Sequence, residues 1–192
     1  MVIGESQLNV YIVGADNLSP HHKERLQAQV QQALRAIPQW AFTLLRRRLI
    51  RLGLSSFPLI IQPQVEGAAN PQALSVGSLG DKPAVCLMPV IRGDDIDWRQ
   101  ERRHLLAKAL AYLAAPGPQE DEPFWQRWQE AIRQDGLAGM ASQVDERWQA
   151  ASSLDLLLEM FAAYVLNPRH RRWKDLPTTR AFLEGWKATA LS

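Results

Sequence analysis

Leu8-Asn9-Val10-Tyr11-Ile12-Val13 opens the patterned part of the chain as a short β-branched and aromatic run, closed by the turn residues Gly14-Ala15-Asp16-Asn17. Such a run between turn formers predicts a strand. Ser19-Pro20 then offers an N-cap followed by proline at the first helical position, where its missing N–H costs nothing. Leu26, Val30, Ala33, Leu34 and Ile37 recur at helical spacing until Pro38, and a second helical stretch runs from Trp40 to Leu52 and stops at Gly53. Phe57-Pro58-Leu59-Ile60-Ile61 and Ala84-Val85-Cys86-Leu87-Met88 are apolar runs short enough for covered strands. The stretch between them carries Pro63, Pro71 and Pro83 with Gly67, Gly77 and Gly80, and predicts a long loop with room for one short edge strand.

Beyond residue 95 the spacing turns helical. Asp97 is placed to cap a helix reaching about Ala115, where Pro116-Gly117-Pro118 ends it. Trp125 to Gln134 predicts another helix, ended near Gly136. Ser153 or Ser152 caps a strongly apolar helix to Leu166, stopped by Asn167-Pro168, and a last helix runs from about Thr178 to Ala190. Three early strands with helices between them, followed by a helical half, predict an α+β fold with a small early β-sheet packed on helices. At 192 residues without repeats or low-complexity linkers, the chain is expected to form a single domain. Its sheet and first helices fall in about residues 7–95 and its helical half in about residues 97–190.

Composition changes this picture little. A 46% hydrophobic and 22% charged chain is an ordinary globular protein rather than a disordered or fibrous one. The net charge is +2, too near zero to advertise a polyanion partner. Residues 1–93 hold nine basic and five acidic side chains, and residues 94–192 hold thirteen and fifteen. Cys86 is the single cysteine, which excludes an internal disulfide framework and a cysteine-based zinc knuckle. The N-terminus has Glu5 and no basic run before its apolar stretch, unlike a signal peptide. No segment reaches the ~18 apolar residues of a membrane span. A soluble, cytoplasmic protein is expected.

Several common chemistries are missing from the sequence. It holds no glycine-rich phosphate loop, no dinucleotide fingerprint and no nucleophile elbow. Gly77-Ser78-Leu79-Gly80 is expected to be a turn. Asp94, Asp95 and Asp97 are expected to be a solvated cap before the next helix rather than a cation site, and His21-His22 a surface feature of the first helix's opening turn. Two basic runs, Arg46-Arg47-Arg48 with Arg51 and Arg169-His170-Arg171-Arg172-Trp173-Lys174, are a possible interaction surface. On a helix Arg47, Arg48 and Arg51 fall on the polar side opposite Leu45, Leu49 and Leu52, which predicts an amphipathic surface helix. Of the tryptophans Trp40, Trp98, Trp125, Trp128, Trp148, Trp173 and Trp186, most are expected in the core. Trp125 and Trp128 share a helix face with Ile132, and Trp173, beside arginines, is a candidate interface anchor.

The predicted helix after Asp97 carries a sharper pattern. Leu105, Leu106, Ala109, Leu110 and Leu113 form an apolar stripe, while His104 and Lys108, four apart, share a neighbouring face with Glu101. In the later helix Glu159 interrupts Leu154-Asp155-Leu156-Leu157-Leu158-Glu159-Met160-Phe161-Ala162-Ala163-Tyr164. A carboxylate buried there needs a cation or strong donors, because an unpaired buried charge costs several kcal/mol.

The order of these elements resembles the minimal zincin-like metalloprotease fold, in particular domains of the anthrax lethal-factor type, over roughly residues 7 to 186. The best-matching segment is Leu158-Glu159-Met160-Phe161-Ala162-Ala163-Tyr164-Val165-Leu166-Asn167-Pro168, followed by Leu176-Pro177 and Phe182-Leu183. In that family a helix bearing HExxH precedes a helix whose Glu-x-Phe-Ala pattern supplies the third zinc ligand. Here His104-Leu105-Leu106-Ala107-Lys108 stands in place of HExxH. The resemblance puts His104 at the first ligand position, Leu105 where the general base would be, Lys108 at the second ligand position and Glu159 at the third. A zinc hydrolase needs about three protein ligands, an open water position and a base. The resemblance therefore implies a pseudoenzyme with no metal and no cofactor, acting as a protein-binding or scaffolding module whose partner is another protein. Lys108 is expected to put its nitrogen where the metal sat, pairing with Glu159 and bonding His104; the bland alternative sends Lys108 to solvent. Two other functions stay open: a working hydrolase with an unconventional metal site at His104 and Glu159 with neighbours such as Glu101, and a basic adaptor binding nucleic acid or an acidic protein surface through the two arginine runs. Of these, nucleic acid is the less expected partner.

Overall fold

The computed structural model describes residues 7–67, 72–137 and 153–192. Trp148 and Ser152, expected as a core residue and an alternative cap, lie outside them. The described residues form an α+β fold with two small sheets and six helices.

The strands are β1 (Leu8–Ile12), β2 (Phe57–Ile61), β3 (Gln64–Val65), β4 (Leu74–Leu79), β5 (Lys82–Leu87), β6 (Val90–Arg92) and β7 (Asp95–Asp97). One sheet has the order β1-β2-β5-β4. Its first three strands are parallel, with Val10 opposite Leu59 and Leu59 opposite Val85, and β4 runs antiparallel to β5. The second sheet, β3-β6-β7, is a small flap. The three strands expected from the sequence are β1, β2 and β5. β4 is the edge strand for which the proline- and glycine-rich stretch left room, whereas β3, β6 and β7, at two or three residues each, are too short for an apolar run to signal them. Gly77, Ser78 and Leu79 are strand residues of β4 rather than a turn. Only Gly80, at φ 64°, enters the two-residue connection to β5, where a positive φ at the first position suits a tight hairpin.

The helices are α1 (Pro20–Arg35), α2 (Gln39–Leu52), α3 (Arg102–Ala114), α4 (Glu122–Gln134), α5 (Ser153–Leu166) and α6 (Pro177–Leu191). Ser19 caps α1 as expected, accepting a bond from the His22 backbone N–H at 3.2 Å. His22 itself ties α1 to the β6–β7 turn, its Nε2 lying 2.9 Å from the Gly93 carbonyl oxygen. Gly53 ends α2 at φ 66°, the left-handed conformation that glycine adopts without steric cost. Asp97, expected to cap α3, instead closes β7 and accepts a bond from the Arg99 N–H at 2.7 Å. The cap is Glu101, whose carboxylate accepts from the His104 N–H at 2.9 Å.

α3 occupies the centre of the molecule and packs on α1, α2, α5, β4 and β5. Leu105, Leu106, Ala107, Ala109, Leu110, Ala111, Leu113 and Ala114 are all buried, so the helix has apolar contacts nearly all round. Each buried leucine contributes about 1.5–3 kcal/mol relative to exposure, and the alanines let neighbouring backbones approach. His104, Lys108 and Tyr112, at steps of four, form its one polar line. This line runs along α5 and toward β4, where the Tyr112 hydroxyl donates to the Gly77 carbonyl at 3.0 Å.

Candidate functional site

The polar line of α3 meets α5 at Glu159. His104 Nε2 lies 2.7 Å from Glu159 Oε2, and Lys108 Nζ lies 2.5 Å from Glu159 Oε1. Both carboxylate oxygens are thus engaged by one helix, from residues one turn apart. The three side chains are 27%, 14% and 20% exposed for His104, Lys108 and Glu159, so the cluster is shielded although its edge reaches water. Burial pushes the Glu159 carboxyl up, but the hydrogen bonds from His104 and Lys108 and their charges more than offset this. The net result holds it down at about 2, and it is a carboxylate at neutral pH. Lys108 and His104 bond to Glu159 rather than to one another.

The elements explain why these groups converge. Four-residue spacing stacks His104 above Lys108, and α3 packs along α5. Leu105, which the resemblance puts where a general base would be, is 1% exposed. Its side chain is core, not a group facing a water molecule. Glu101 is used at the α3 N-terminus, where it also accepts from Arg103 Nε at 2.7 Å. Beside Lys108 a hollow of about 460 Å³ opens between β4, α3 and α5, with Leu74, Val76, Leu105, Asp155 and Leu158 among its lining. β4 forms one edge of its sheet.

The donor set does not fit a zinc ion. Zinc takes neutral imidazole, thiolate or carboxylate ligands, and an ammonium held against a carboxylate has no lone pair to give. Among the described residues no three His, Cys, Asp or Glu side chains are grouped to hold a metal. What the arrangement does chemically is cross-link two helices by a charge-assisted pair with a histidine on the same carboxylate.

The arginine runs divide. Arg46, Arg47 and Arg51 are exposed on α2, whereas Arg48, expected beside them on the polar side, is 7% exposed. Its guanidinium donates to the carbonyls of Tyr112 at 3.0 Å and Leu113 at 3.1 Å, and to Glu120 Oε1 at 2.8 Å. It caps the C-terminus of α3 instead of presenting a surface, because its place one turn from Leu44 and Leu52 turns it inward. Arg169, Arg171 and Arg172 are exposed. Trp173, proposed as an interface anchor among them, is 1% exposed. Its indole N–H donates to the Asn167 carbonyl at 2.9 Å and its ring packs against Tyr164 at 5.7 Å between centroids, so it pins the turn between α5 and α6. Asp135 was not singled out from the sequence. It accepts from the Thr178 and Thr179 backbone N–H groups, at 3.2 and 2.6 Å, and so caps α6 from the end of α4. A lone aspartate after a helix carries no local signal of that use.

No family model, no curated protein and no solved structure matches this chain. Among the described residues no helix is long and apolar enough to cross a membrane.

Proposed function

We propose that the chain is a zincin-like domain whose catalytic metal has been replaced by an internal salt bridge, and that it works as a protein-binding or scaffolding module. One observation carries this reading. Lys108 occupies the second ligand position of the resemblance and its ammonium rests on Glu159, the third, while His104, the first, takes the other carboxylate oxygen. A lysine meeting a carboxylate in that way supplies the positive charge that the ion would have supplied, and the helix–helix tie is kept without hydrolysis. The buried Leu105 removes the base as well. A binding role is supported by β4, a sheet edge beside a hollow, because an unpaired strand edge is a template for an incoming extended segment.

Elemental analysis of the purified, untagged protein after zinc loading and dialysis tests the reading. Near-zero zinc is expected for the wild type. Lys108→His should gain a site, since His104, Glu159 and the introduced imidazole would then make a three-ligand set. One tightly held zinc per wild-type chain would overturn the proposal, as would a Lys108→His variant that folds and takes up none.

A further inference from the structure

A second hollow, of about 680 Å³, lies between α2, α4 and α6 and shares no lining residue with the one beside Lys108. Its volume is within the range of about 300–1,000 Å³ common for small organic ligands. The floor is aromatic: Phe124, Phe182 and Trp186 line it, with Phe124 set edge-on to the other two at 5.2 Å between centroids. The rim is basic. Arg47 and Arg51, one turn apart on α2, face Arg127 on α4, and Arg48 stands in the wall.

Glu120 neutralises Arg48 at 2.8 Å, but the acids that line the hollow leave Arg47 and Arg127 unbalanced. Glu130 is held on its own helix by Arg133, at 2.6 and 2.8 Å, and by Gln134 at 2.6 Å. Asp121 caps α4, accepting from the Phe124 N–H at 3.0 Å, and is 3.9 Å from Arg51. Among the described residues neither Arg47 nor Arg127 has a carboxylate partner; they touch the Ser192 hydroxyl and the Pro123 carbonyl. Arg48, 93% buried by its 7% exposure, keeps its Nε–H unpartnered. A buried donor in the wall of a hollow, with nothing among the described residues to satisfy it, is costly unless something else supplies an acceptor.

α6 contributes a further sign. Gly185 sits in the middle of a helix, where glycine costs roughly 0.5–1 kcal/mol relative to alanine. Among the described residues a Cβ there would meet nothing within 4 Å, so packing against them does not require glycine. Its effect is to leave the hollow open, together with Ala181 one turn before and Thr189 one turn after.

We propose that this hollow binds a small amphiphilic anion, a carboxylate or phosphate head on an apolar chain. The chain lies on Phe182 and Trp186 in the space left by Gly185, and the head is taken by the guanidinium forks of Arg47 and Arg51, which suit planar or tetrahedral oxyanions better than a lysine would. This site is independent of the one at Glu159.

The test is calorimetric titration of the full-length protein with decanoate and with decyl phosphate, using decanol as the uncharged control. One saturable site per chain is expected for at least one anion, with decanol at least about tenfold weaker. The better anion identifies the head group. Arg47→Gln with Arg51→Gln should weaken binding by about tenfold or more. Gly185→Leu should abolish it without lowering the melting temperature, because the leucine enters open space and favours the helix. Saturable binding that both variants leave unchanged would overturn the proposal. So would the absence of saturable binding to either anion, or retention on phosphatidylglycerol vesicles with none to the free amphiphiles.

Discussion

Glu159 is the residue on which two helices depend, and its neighbours determine what its loss should cost. Removing one partner of a shielded charge pair leaves the other without compensation, and that penalty exceeds the net worth of the pair. Glu159→Gln keeps the shape but leaves the Lys108 ammonium facing an amide, so about 1–3 kcal/mol of stability should be lost. Lys108→Met should cost a similar amount, and the double variant less than the sum, as expected for residues in contact. The pH dependence has a defined sign. The Glu159 carboxyl is lowered from 4.5 to about 2 by folding. Its contribution is therefore complete above the unfolded value of 4.5 and drains away as pH falls toward 2. Urea midpoints measured from about pH 6 to about pH 2.5 should fall more steeply for the wild type than for Glu159→Gln, and parallel curves would mean that the carboxylate does not carry this charge pair. At this scale the sequence was legible where spacing decides a shared face, as for His104 and Lys108, and where Glu159 broke an apolar run; that Lys108 meets Glu159 was implied by the family resemblance and not by periodicity. It misled where tertiary packing overrides local pattern. Trp173 sits among arginines in the sequence and yet is buried, because the turn after Asn167 folds its indole back onto Tyr164.

Helix ends in this protein are repeatedly closed by side chains from elsewhere, and Arg48 is the strongest case. The last carbonyls of a helix have no partner within it, and a cation there also faces the negative end of the helix dipole. Arg48 meets both needs at α3 while Glu120 neutralises it. Arg48→Met should cost about 2–3 kcal/mol, since it orphans two carbonyls and a carboxylate. Arg48→Lys should recover less than half of that, because one ammonium cannot span three acceptors in a fork. Urea denaturation of both variants checks this, and full rescue by lysine would show that charge alone suffices. Elements were readable from the sequence in proportion to their length and local signals. α1, α2 and α5 began and ended close to where their caps and breakers put them, and β1, β2 and β5 followed from apolar runs. β3, β6 and β7 have two or three residues each, too few for any period to register. β4 exists because β5 lends it a partner, not because Leu74–Leu79 favours extension in its own right. The shift of the α3 cap from Asp97 to Glu101 has the same origin, since pairing with β6 claims Asp97 for a strand first.

Across the molecule, α3 makes the early sheet and the late helices mutually dependent. One side of it packs on α1, α2 and the strands β4 and β5, and another on α5. Trp40 of α2 reaches across to Phe161 of α5 at 5.6 Å and to Tyr164 at 6.2 Å, and Phe161 packs in turn, tilted, against Trp186 of α6 at 5.0 Å. Residues far apart in sequence thus share one aromatic cluster beside a helix with almost no polar face. Neither half can bury its apolar surface alone: without α5, the leucines of α3 are exposed, and without α3 the β-sheet loses a cover. The chain should therefore unfold in a single transition, with far-ultraviolet circular dichroism and tryptophan fluorescence falling together. Phe161→Ala removes a ring that is 1% exposed and should cost about 3–5 kcal/mol. Because the loss is shared, both probes should shift by the same amount. If the fluorescence transition of the variant moves while the dichroism keeps a separate, unshifted phase, the early sheet folds on its own and the division near residues 95–97 marks two units. Coincident shifts would place the fold's cooperativity in α3 and the aromatic contacts around it.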